Sequence, residues 1–133
     1  MIIGIGIDIV ESARIDKSIK HSGEKFLQRI FTPKEILIGS QKANPEIRTN
    51  YYAKRFAAKE AFAKATGLGI GRGFDFIDIE ISNDENGKPE IKLSEKSEDF
   101  LQQHFSCDNF QIDLSLADTK DLAQAFVVIS RVL

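Results

Sequence analysis

Two acidic residues, Asp8 and Glu60, are the part of this sequence that points most directly to chemistry. Asp8 follows two glycines at alternate positions, Gly4 and Gly6. It therefore lies on a face of a predicted strand that is otherwise bare, because glycine has no side chain. Glu60 lies on an alanine-rich stripe of a predicted helix. Mg²⁺ in proteins is commonly bound by one or two carboxylates, with phosphate oxygens and water completing the shell. If the glycine face of the strand packs on the alanine stripe of the helix, the two carboxylates form a metal site that suits a diphosphate ligand.

A purely structural interpretation of the same residues stays open at this level. Asp8 can be the N-cap of a following helix, and Glu60 can pair with Lys64 one turn further along its own helix. Spacing along the chain does not show whether residues 8 and 60 meet. The sequence alone is therefore consistent with one shared metal site and with two separate local roles.

A second group of residues has the composition of a phosphate-binding surface. Its members are basic side chains of the long predicted helix and residues of the loop after it: Arg55, Lys59, Lys64, Gly69, Gly71 and Arg72. Backbone N–H groups of a glycine-rich turn can bind an anion, and basic side chains neutralise phosphate. The loop is not a Walker A loop, because no Gly-Lys-Ser/Thr follows a strand. A solvated helix face followed by a flexible loop is the alternative interpretation.

Other reactive residues give weaker indications. His21 and His104 lie in polar predicted helices that we expect to be exposed, and nothing in the sequence nominates partners for a histidine-based triad. Cys107 is the single cysteine, which excludes an intramolecular disulfide and a zinc site with several cysteines. Glu35 fits a helix cap better than a catalytic base.

The elements that must position these residues follow from periodicity and from capping signals. In chain order we predict a strand over 2–8, helices over 10–20, from Thr32-Pro33 and over 46–66, a strand over 76–81, a turn at Asn86-Gly87, a strand that includes Ile91 and Leu93, a helix from Ser94 to His104, and strands over 110–117 and 122–129. This order predicts an α+β fold with a mainly antiparallel sheet and a long central helix.

Whole-chain properties limit the classes of function. The 133 residues fit one domain over 1–133, and a chain of this size buries a modest core that oligomerisation would extend. A net charge of −2 argues against bulk electrostatic binding to nucleic acid or to an anionic membrane. The first residues lack a signal-peptide pattern and no segment has the length of a membrane span, so the cytoplasm is the expected location.

Three segments of the sequence together resemble the holo-acyl-carrier-protein synthases. Residues 4–11 read GIGIDIVE and are followed by Arg14, residues 54–65 read KRFAAKEAFAKA and precede the glycine-rich loop, and residues 78–81 and 86–89 read DIEI and NGKP. In this order and at these separations the segments are similar to that family's signatures. The resemblance implies the 4′-phosphopantetheinyl transferase-like fold.

The resemblance also implies an activity. It is the Mg²⁺-dependent transfer of 4′-phosphopantetheine from coenzyme A to a serine of apo acyl carrier protein, a step that serves fatty acid biosynthesis and releases adenosine 3′,5′-bisphosphate. A homotrimer with active sites at its subunit interfaces is implied as well. The alternative function is a non-catalytic module that binds coenzyme A or a nucleotide, which would tolerate the loss of both carboxylates.

Carried over residue by residue, the resemblance assigns roles within this chain. Asp8 and Glu60 bind Mg²⁺, Glu60 and Lys64 are catalytic, and Arg14 contacts the carrier protein. The coenzyme A site comprises Lys64 together with Arg55, Lys59, Gly69, Gly71, Gly87, Lys88 and Pro89.

Two departures from the family's pattern affect what can be carried over. Asp118 stands where many members have histidine, which resembles a recognised branch with Leu-Ala-Asp, so no role of that histidine applies here. His21 and Glu24 stand where arginine is common. We therefore expect the contact with the carrier protein to be weaker or differently placed.

Overall fold

Five strands and five α-helices account for most of the chain in the computed structural model, which describes residues 1–133. In chain order they are β1 (Ile2–Glu11), α1 (Ser12–Ser22), α2 (Glu24–Ile30), α3 (Pro33–Ser40), α4 (Pro45–Thr66), β2 (Ile79–Asn83), β3 (Pro89–Leu93), α5 (Glu95–Phe105), β4 (Phe110–Asp118) and β5 (Leu122–Arg131). Strands β1, β5 and β4 form one antiparallel sheet in that order, and β2 and β3 form an antiparallel hairpin. The prediction of an α+β fold with antiparallel sheets and a long helix is confirmed.

The ends of α3 and α4 follow the capping signals in the sequence. The Thr32 hydroxyl accepts a hydrogen bond from Glu35 N, the Glu35 carboxylate accepts one from Thr32 N, and Pro33 begins α3. Asn44 caps α4 through its side chain, and Gly67 ends α4 with a left-handed φ of 79°. These interactions satisfy backbone groups that a helix leaves unpaired at its ends. The predicted boundaries of α4 therefore agree with the structure to within one residue.

Strand β1 approaches α4 at backbone distance. A Cβ atom on Gly4 would overlap the carbonyl oxygen of Ala65, and one on Gly6 would overlap that of Ala61. Only glycine permits this contact, which is a common reason for glycine within a strand. The close packing of a glycine-faced strand on an alanine-rich helix, inferred from the sequence, is confirmed, and it determines which part of α4 lies beside Asp8.

The length of β1 corrects two interpretations of Asp8. The strand continues to Glu11, which pairs with Leu122 of β5, and α1 begins only at Ser12. The N-cap residue of α1 is Glu11, whose side chain makes no capping hydrogen bond. Asp8 therefore neither ends the strand nor caps the first helix; it lies within the strand, opposite Ala125. The additional residues are strand because β5 supplies their hydrogen-bond partners.

The β2–β3 hairpin matches the turn signal, while its first strand starts later than predicted. Asn83 pairs with Pro89, and Gly87 lies between them with a φ of 83°. Residues 76–78 form a short 3₁₀ turn rather than the start of the strand, and Asp78 accepts a hydrogen bond there from Asp75 N. The capping interaction between Asp75 and Asp78 thus determines the local structure, although the alternating apolar pattern of these residues is typical of a strand.

The two faces of the three-stranded sheet differ in what covers them. The inner face packs on α4, and alternate residues of β5 from Ala123 to Ile129 are buried there. The outer face carries large apolar side chains that no part of this chain covers. Their exposed fractions are 61 % for Ile5, 49 % for Ile7, 58 % for Ile9 and 44 % for Phe126. An apolar surface of this kind indicates an interaction site.

Candidate active site

Asp8 on β1 and Glu60 on α4 lie close together where the strand packs on the helix. Burial raises the pKa of Glu60 above its ordinary value, the negative charge of Asp8 raises it further, and Lys64 partly opposes both effects. Direct contacts place the two residues side by side: Gly6 of β1 packs on Ala61, the residue after Glu60, and Lys64, one turn along α4 from Glu60, contacts Asp8. The structure thus brings together the two carboxylates that are far apart in the sequence.

Lys64 belongs to the same cluster. Its ammonium group donates hydrogen bonds to Asp8 Oδ1 at 3.1 Å and to the Ile7 backbone oxygen at 3.0 Å. The ion pair of Lys64 therefore runs across to β1, and the alternative in which it pairs with Glu60 along α4 is wrong. More than half of the Lys64 side chain is exposed, so its positive charge is accessible to a ligand.

The donor atoms of this cluster fit Mg²⁺. Asp8 and Glu60 offer carboxylate oxygens, the ligands that this ion prefers, and Mg²⁺ commonly takes only one or two of them when substrate phosphates complete the octahedron. No group of three or more histidine, cysteine or acidic side chains in the protein could hold a metal ion. Burial is the main cause of the raised pKa of Glu60, and the like charge of Asp8 adds to it, a repulsion that a divalent cation would offset. The residues therefore suit a metal ion that binds together with a phosphate ligand.

Lys59 does not contribute to this surface. Its side chain is fully buried, and its ammonium group donates hydrogen bonds to Glu35 Oε1 at 2.6 Å, Ile30 O at 2.8 Å and Phe76 O at 3.2 Å. Three bonds use all three donors of a lysine. The prediction that Lys59 binds coenzyme A is wrong, because α3 and the 3₁₀ turn before β2 cover this side of α4.

Glu35 is the buried partner of Lys59, and this excludes it as a catalytic base. It is 1 % exposed, and its carboxylate accepts hydrogen bonds from Thr32 N, Lys59 Nζ and Ile81 N. Burial lowers the pKa of Lys59, and the negative charge of Glu35 opposes that shift. The prediction that Glu35 is a helix cap is confirmed. Its second role, joining α3 to α4 and β2, has no signal in the sequence, because the partners are not local.

The predicted hairpin residues lie at a cleft with Arg55. This cleft has a volume of about 400 Å³, and its lining includes Arg55 together with Gly87, Lys88 and Pro89. The fold thus brings together four residues of the predicted coenzyme A site, one from α4 and three from the hairpin. Asp118, the residue that stands where many members of the family have histidine, lies in the same cleft.

The guanidinium group of Arg55 is held in place beside this cleft. It lies over the Tyr51 ring, 3.9 Å from the centroid, and donates to Asn83 Oδ1 at 3.4 Å. Its Nε atom is buried and has no hydrogen-bond partner, so this donor is not open to a ligand. A guanidinium group fixed in this way at the lining of a cleft is nevertheless suited to phosphate binding through its outer nitrogens.

Lysines that the sequence did not nominate increase the positive charge around Arg55. Lys54 lines the cleft and pairs with Asp118 at 3.7 Å. Lys34 and Lys42 line a second cleft of about 410 Å³, which also contains Arg55. The sequence signal for these residues is only their charge, and the packing of α3 against α4 brings them together.

The glycine-rich loop over 67–73 follows directly on the turn of α4 that carries Lys64. Gly69 and Gly71 have φ values of 101° and 88°, which side-chain-bearing residues rarely adopt. No atom lies within 4 Å of a Cβ position on either residue, so the loop presents its backbone to open space. This geometry agrees with the backbone surface inferred from the sequence.

Comparison with known proteins places the chain in a family. Residues 4–126 match the family described as the 4′-phosphopantetheinyl transferase superfamily. The chain belongs to this superfamily. It is 46 % identical over 129 residues to the holo-[acyl-carrier-protein] synthase of Wolbachia pipientis subsp. Culex pipiens (strain wPip), an alignment that covers 97 % of this chain and 98 % of that protein.

Solved structures agree with this assignment. The crystal structure of holo-[acyl-carrier-protein] synthase from Neisseria meningitidis has a TM-score of 0.88 and 43 % identity, covering 98 % of this chain and 100 % of that one. That of the Helicobacter pylori holo-[acyl-carrier-protein] synthase in complex with coenzyme A has a TM-score of 0.79 and 38 % identity, covering 95 % and 99 %. The resemblance inferred from the three sequence segments is confirmed.

Proposed function

We propose that this chain acts as a holo-[acyl-carrier-protein] synthase, which transfers 4′-phosphopantetheine from coenzyme A to a serine of apo acyl carrier protein in fatty acid biosynthesis. The observation that carries the proposal is the cluster of Asp8, Glu60 and Lys64, assembled from β1 and α4 in a member of this superfamily. A relative with 38 % identity was crystallised with coenzyme A, which supports the choice of substrate.

The proposed reaction is a phosphoryl-group transfer. The serine oxygen of the carrier protein forms a bond to the β-phosphorus of coenzyme A, the bridging P–O bond breaks, and adenosine 3′,5′-bisphosphate leaves. Such reactions require mainly positioning and charge neutralisation from the protein. Lys64 binds a phosphate oxygen and stabilises the charge that develops on the leaving group. Glu60 is the proposed acceptor of the serine proton.

Asp8 and Glu60 are the residues that would hold Mg²⁺. When bound, this ion supplies positive charge that orients a diphosphate and offsets its negative charge. The two carboxylates that β1 and α4 bring together leave room for phosphate oxygens and water, which supports this part of the proposal.

The remaining coenzyme A contacts are assigned to two regions on either side of this cluster along α4. Arg55 and the hairpin residues Gly87, Lys88 and Pro89 line one cleft, which is proposed for the adenosine 3′-phosphate end. Gly69 and Gly71 belong to the loop that follows Lys64 and are proposed to contact the phosphates. Lys59 has no part in this site.

Exposed basic side chains on α1 and α2 support the proposed contact with an acidic carrier protein. Arg14, Lys17, Lys25 and Arg29 are all exposed, although the net charge of the whole chain is −2. Arg14 keeps its assigned role in this proposal. The other three supply positive charge near His21 and Glu24, the positions where relatives commonly have arginine, so the contact is differently placed rather than absent.

The uncovered outer face of the three-stranded sheet supports the proposed homotrimer. Ile5, Ile7, Ile9 and Phe126 form an apolar surface there, and covering it with neighbouring copies would remove it from water. Asp8 lies on the same strand as the three isoleucines, with its side chain on the opposite face. This arrangement suits active sites near subunit interfaces.

The proposal places the enzyme in the cytoplasm, with no nucleic acid or membrane as partner. None of its helices has both the length and the apolar character needed to cross a bilayer. The small net negative charge also supports this part of the proposal.

A direct test combines the protein with coenzyme A, Mg²⁺ and apo acyl carrier protein. Mass spectrometry should show the carrier gaining one phosphopantetheine, and chromatography should show adenosine 3′,5′-bisphosphate. Binding of coenzyme A without any transfer, across a panel of apo carrier proteins, would support the non-catalytic module instead. Full activity of a double variant, Asp8→Ala with Glu60→Ala, would contradict the site assignment.

A further inference from the structure

Helix α5 contacts both ends of the glycine-rich loop over 67–73. At the start of the loop, His104 Nε2 lies 2.9 Å from the carbonyl oxygen of Thr66. At its end, Gly73 packs on the Phe100 ring so closely that a Cβ atom would overlap the ring. The Phe100 and His104 rings are one helical turn apart, parallel to within 3°, with centroids 6.3 Å apart. One face of α5 therefore holds the loop at two points.

The hydrogen bond from His104 has a defined direction. A carbonyl oxygen only accepts, so Nε2 of His104 must carry the hydrogen. Thr66 is the last residue of α4, and the final carbonyl groups of a helix have no partner within it. The Thr66 hydroxyl is already used, since it donates to Ala63 O and accepts from Leu68 N. His104 thus satisfies a helix end that nothing local satisfies.

In the middle of the loop, Leu68 and Ile70 pack their side chains against the core, while the backbone at Gly69 and Gly71 lacks comparable contacts. Gly69 and Gly71 have open space where a Cβ would lie, and Gly71 N donates only to the backbone oxygen of Phe74, the residue directly after the loop. At the other end, Gly67 N donates to the backbone oxygen of Lys64 at 3.0 Å. The direction in which the loop leaves α4 is therefore coupled to the turn that carries Lys64.

We propose that His104 and Phe100 are positioning residues of the coenzyme A site, which hold the ends of the loop so that its open middle and Lys64 meet the phosphates together. This inference rests on the function proposed above. Neither residue touches the substrate; both act through the loop. Without them the backbone at the two ends of the loop samples more conformations, and ordering it on binding lowers the affinity for coenzyme A.

The test uses three variants of the full chain. His104→Ala removes the donor, His104→Gln replaces it with an amide N–H at a similar distance from the backbone, and Gln103→Ala is a control at an exposed neighbouring position on α5. Hydrogen exchange of the amides over 67–73 is measured without coenzyme A, and KM for coenzyme A and kcat are measured in the transfer assay.

We expect His104→Ala to accelerate exchange over 67–73 and to raise KM for coenzyme A by about 3- to 10-fold, the scale of one lost hydrogen bond, with little change in kcat. His104→Gln should restore both, and Gln103→Ala should resemble the wild type. Unchanged exchange in a folded His104→Ala protein overturns the inference, as does an equal loss in the Ala and Gln variants.

A fourth variant covers the case in which His104→Ala does not fold. Phe100→Leu keeps apolar bulk but removes the flat ring against Gly73, and it should accelerate exchange near that end of the loop. Exchange like that of the wild type would overturn the inference. The exchange measurement needs no activity, so an inactive wild type would contradict the proposed function while the role of α5 is still decided.

Discussion

Glu60 is destabilised as an anion in the folded protein, which has consequences for stability as well as for catalysis. Burial raises its pKa first, and the adjacent Asp8 charge raises it further. The folded state therefore binds a proton more readily than the unfolded state does, and stability falls as pH rises through the folded pKa of Glu60. Conversely, this loss is recovered as the pH falls through that pKa. A charge that suits a metal site thus weakens the metal-free fold.

The first prediction follows from the direction of this pH dependence of stability. Without divalent cations, Glu60→Gln should be more stable than the wild type at neutral and alkaline pH, and the difference should shrink as the pH is lowered and Glu60 becomes protonated. Urea unfolding at several pH values in the presence of a chelator measures it. Glu85→Gln, at an exposed position of the hairpin turn, is the matched control. A Glu60→Gln protein that is less stable at neutral pH would contradict the electrostatic argument.

A second prediction at this scale concerns the rate of transfer. Asp8→Asn keeps the shape of the side chain but removes its charge, and the rate should fall about 100- to 1000-fold, the scale of losing one electrostatic stabiliser. Lys64→Ala should have an effect of the same order. The measurement is the initial rate of holo carrier formation, with Asp99→Asn, an exposed change on α5, as control. A loss below about threefold for Asp8→Asn would be incompatible with a metal-binding role.

Among the elements, α4 is held on one side by a charged contact rather than by apolar packing alone. Lys59 donates to Glu35 on α3, to the last residue of α2 and to the 3₁₀ turn before β2. Glu35 in turn accepts a hydrogen bond from Ile81 N in β2. The next residue along α4 is Glu60, so this buried ion pair secures the helix beside the site without facing the ligand.

The corresponding prediction is a large loss of stability from removing one partner. Lys59→Met leaves the Glu35 charge buried without a counter-ion and should lower the free energy of unfolding by about 3–5 kcal/mol. Adding Glu35→Gln should recover part of the loss, because no unpaired charge then remains. Urea unfolding measures both. A normal stability of Lys59→Met with a raised KM for coenzyme A would instead restore Lys59 to the binding site.

For the whole molecule, the uncovered sheet face is the feature that a single chain leaves unexplained. The core of 23 buried apolar residues runs from Val10 in β1 to Ile129 in β5, in keeping with one domain over 1–133, which stays a prediction. The apolar side chains on the other face of the same sheet are outside this core. Association of copies through that face would bury them.

Oligomeric state provides the test. Phe126→Glu places a charge at the centre of the uncovered face and should convert the proposed trimer to monomers in sedimentation velocity, with a loss of transferase activity. Leu37→Glu is the control, because Leu37 is an exposed apolar residue on α3, outside that face. A Phe126→Glu protein that remains an active trimer would show that the face has another role, and a monomeric active wild type would remove the trimer from the proposal.

What the sequence determined by itself is mostly local. The capping box at Thr32, the end of α4 at Gly67, the hairpin turn at Gly87 and the bare face formed by Gly4 and Gly6 depend on partners within a few residues or on the lack of a side chain. The family signatures are likewise visible in the printed sequence. Together these features predicted the fold class and nominated both carboxylates.

The tertiary structure alone decided which charged residues face a ligand. Lys59 and Lys64 lie on one helix with similar neighbours, yet the first is fully buried and the second mostly exposed. Most of α4 is buried on several sides, so its residue pattern carries little information about what covers each side. The extension of β1 and the role of His104 were hidden for the same physical reason: their partners, β5 and Thr66, are distant in the chain and meet them only after packing.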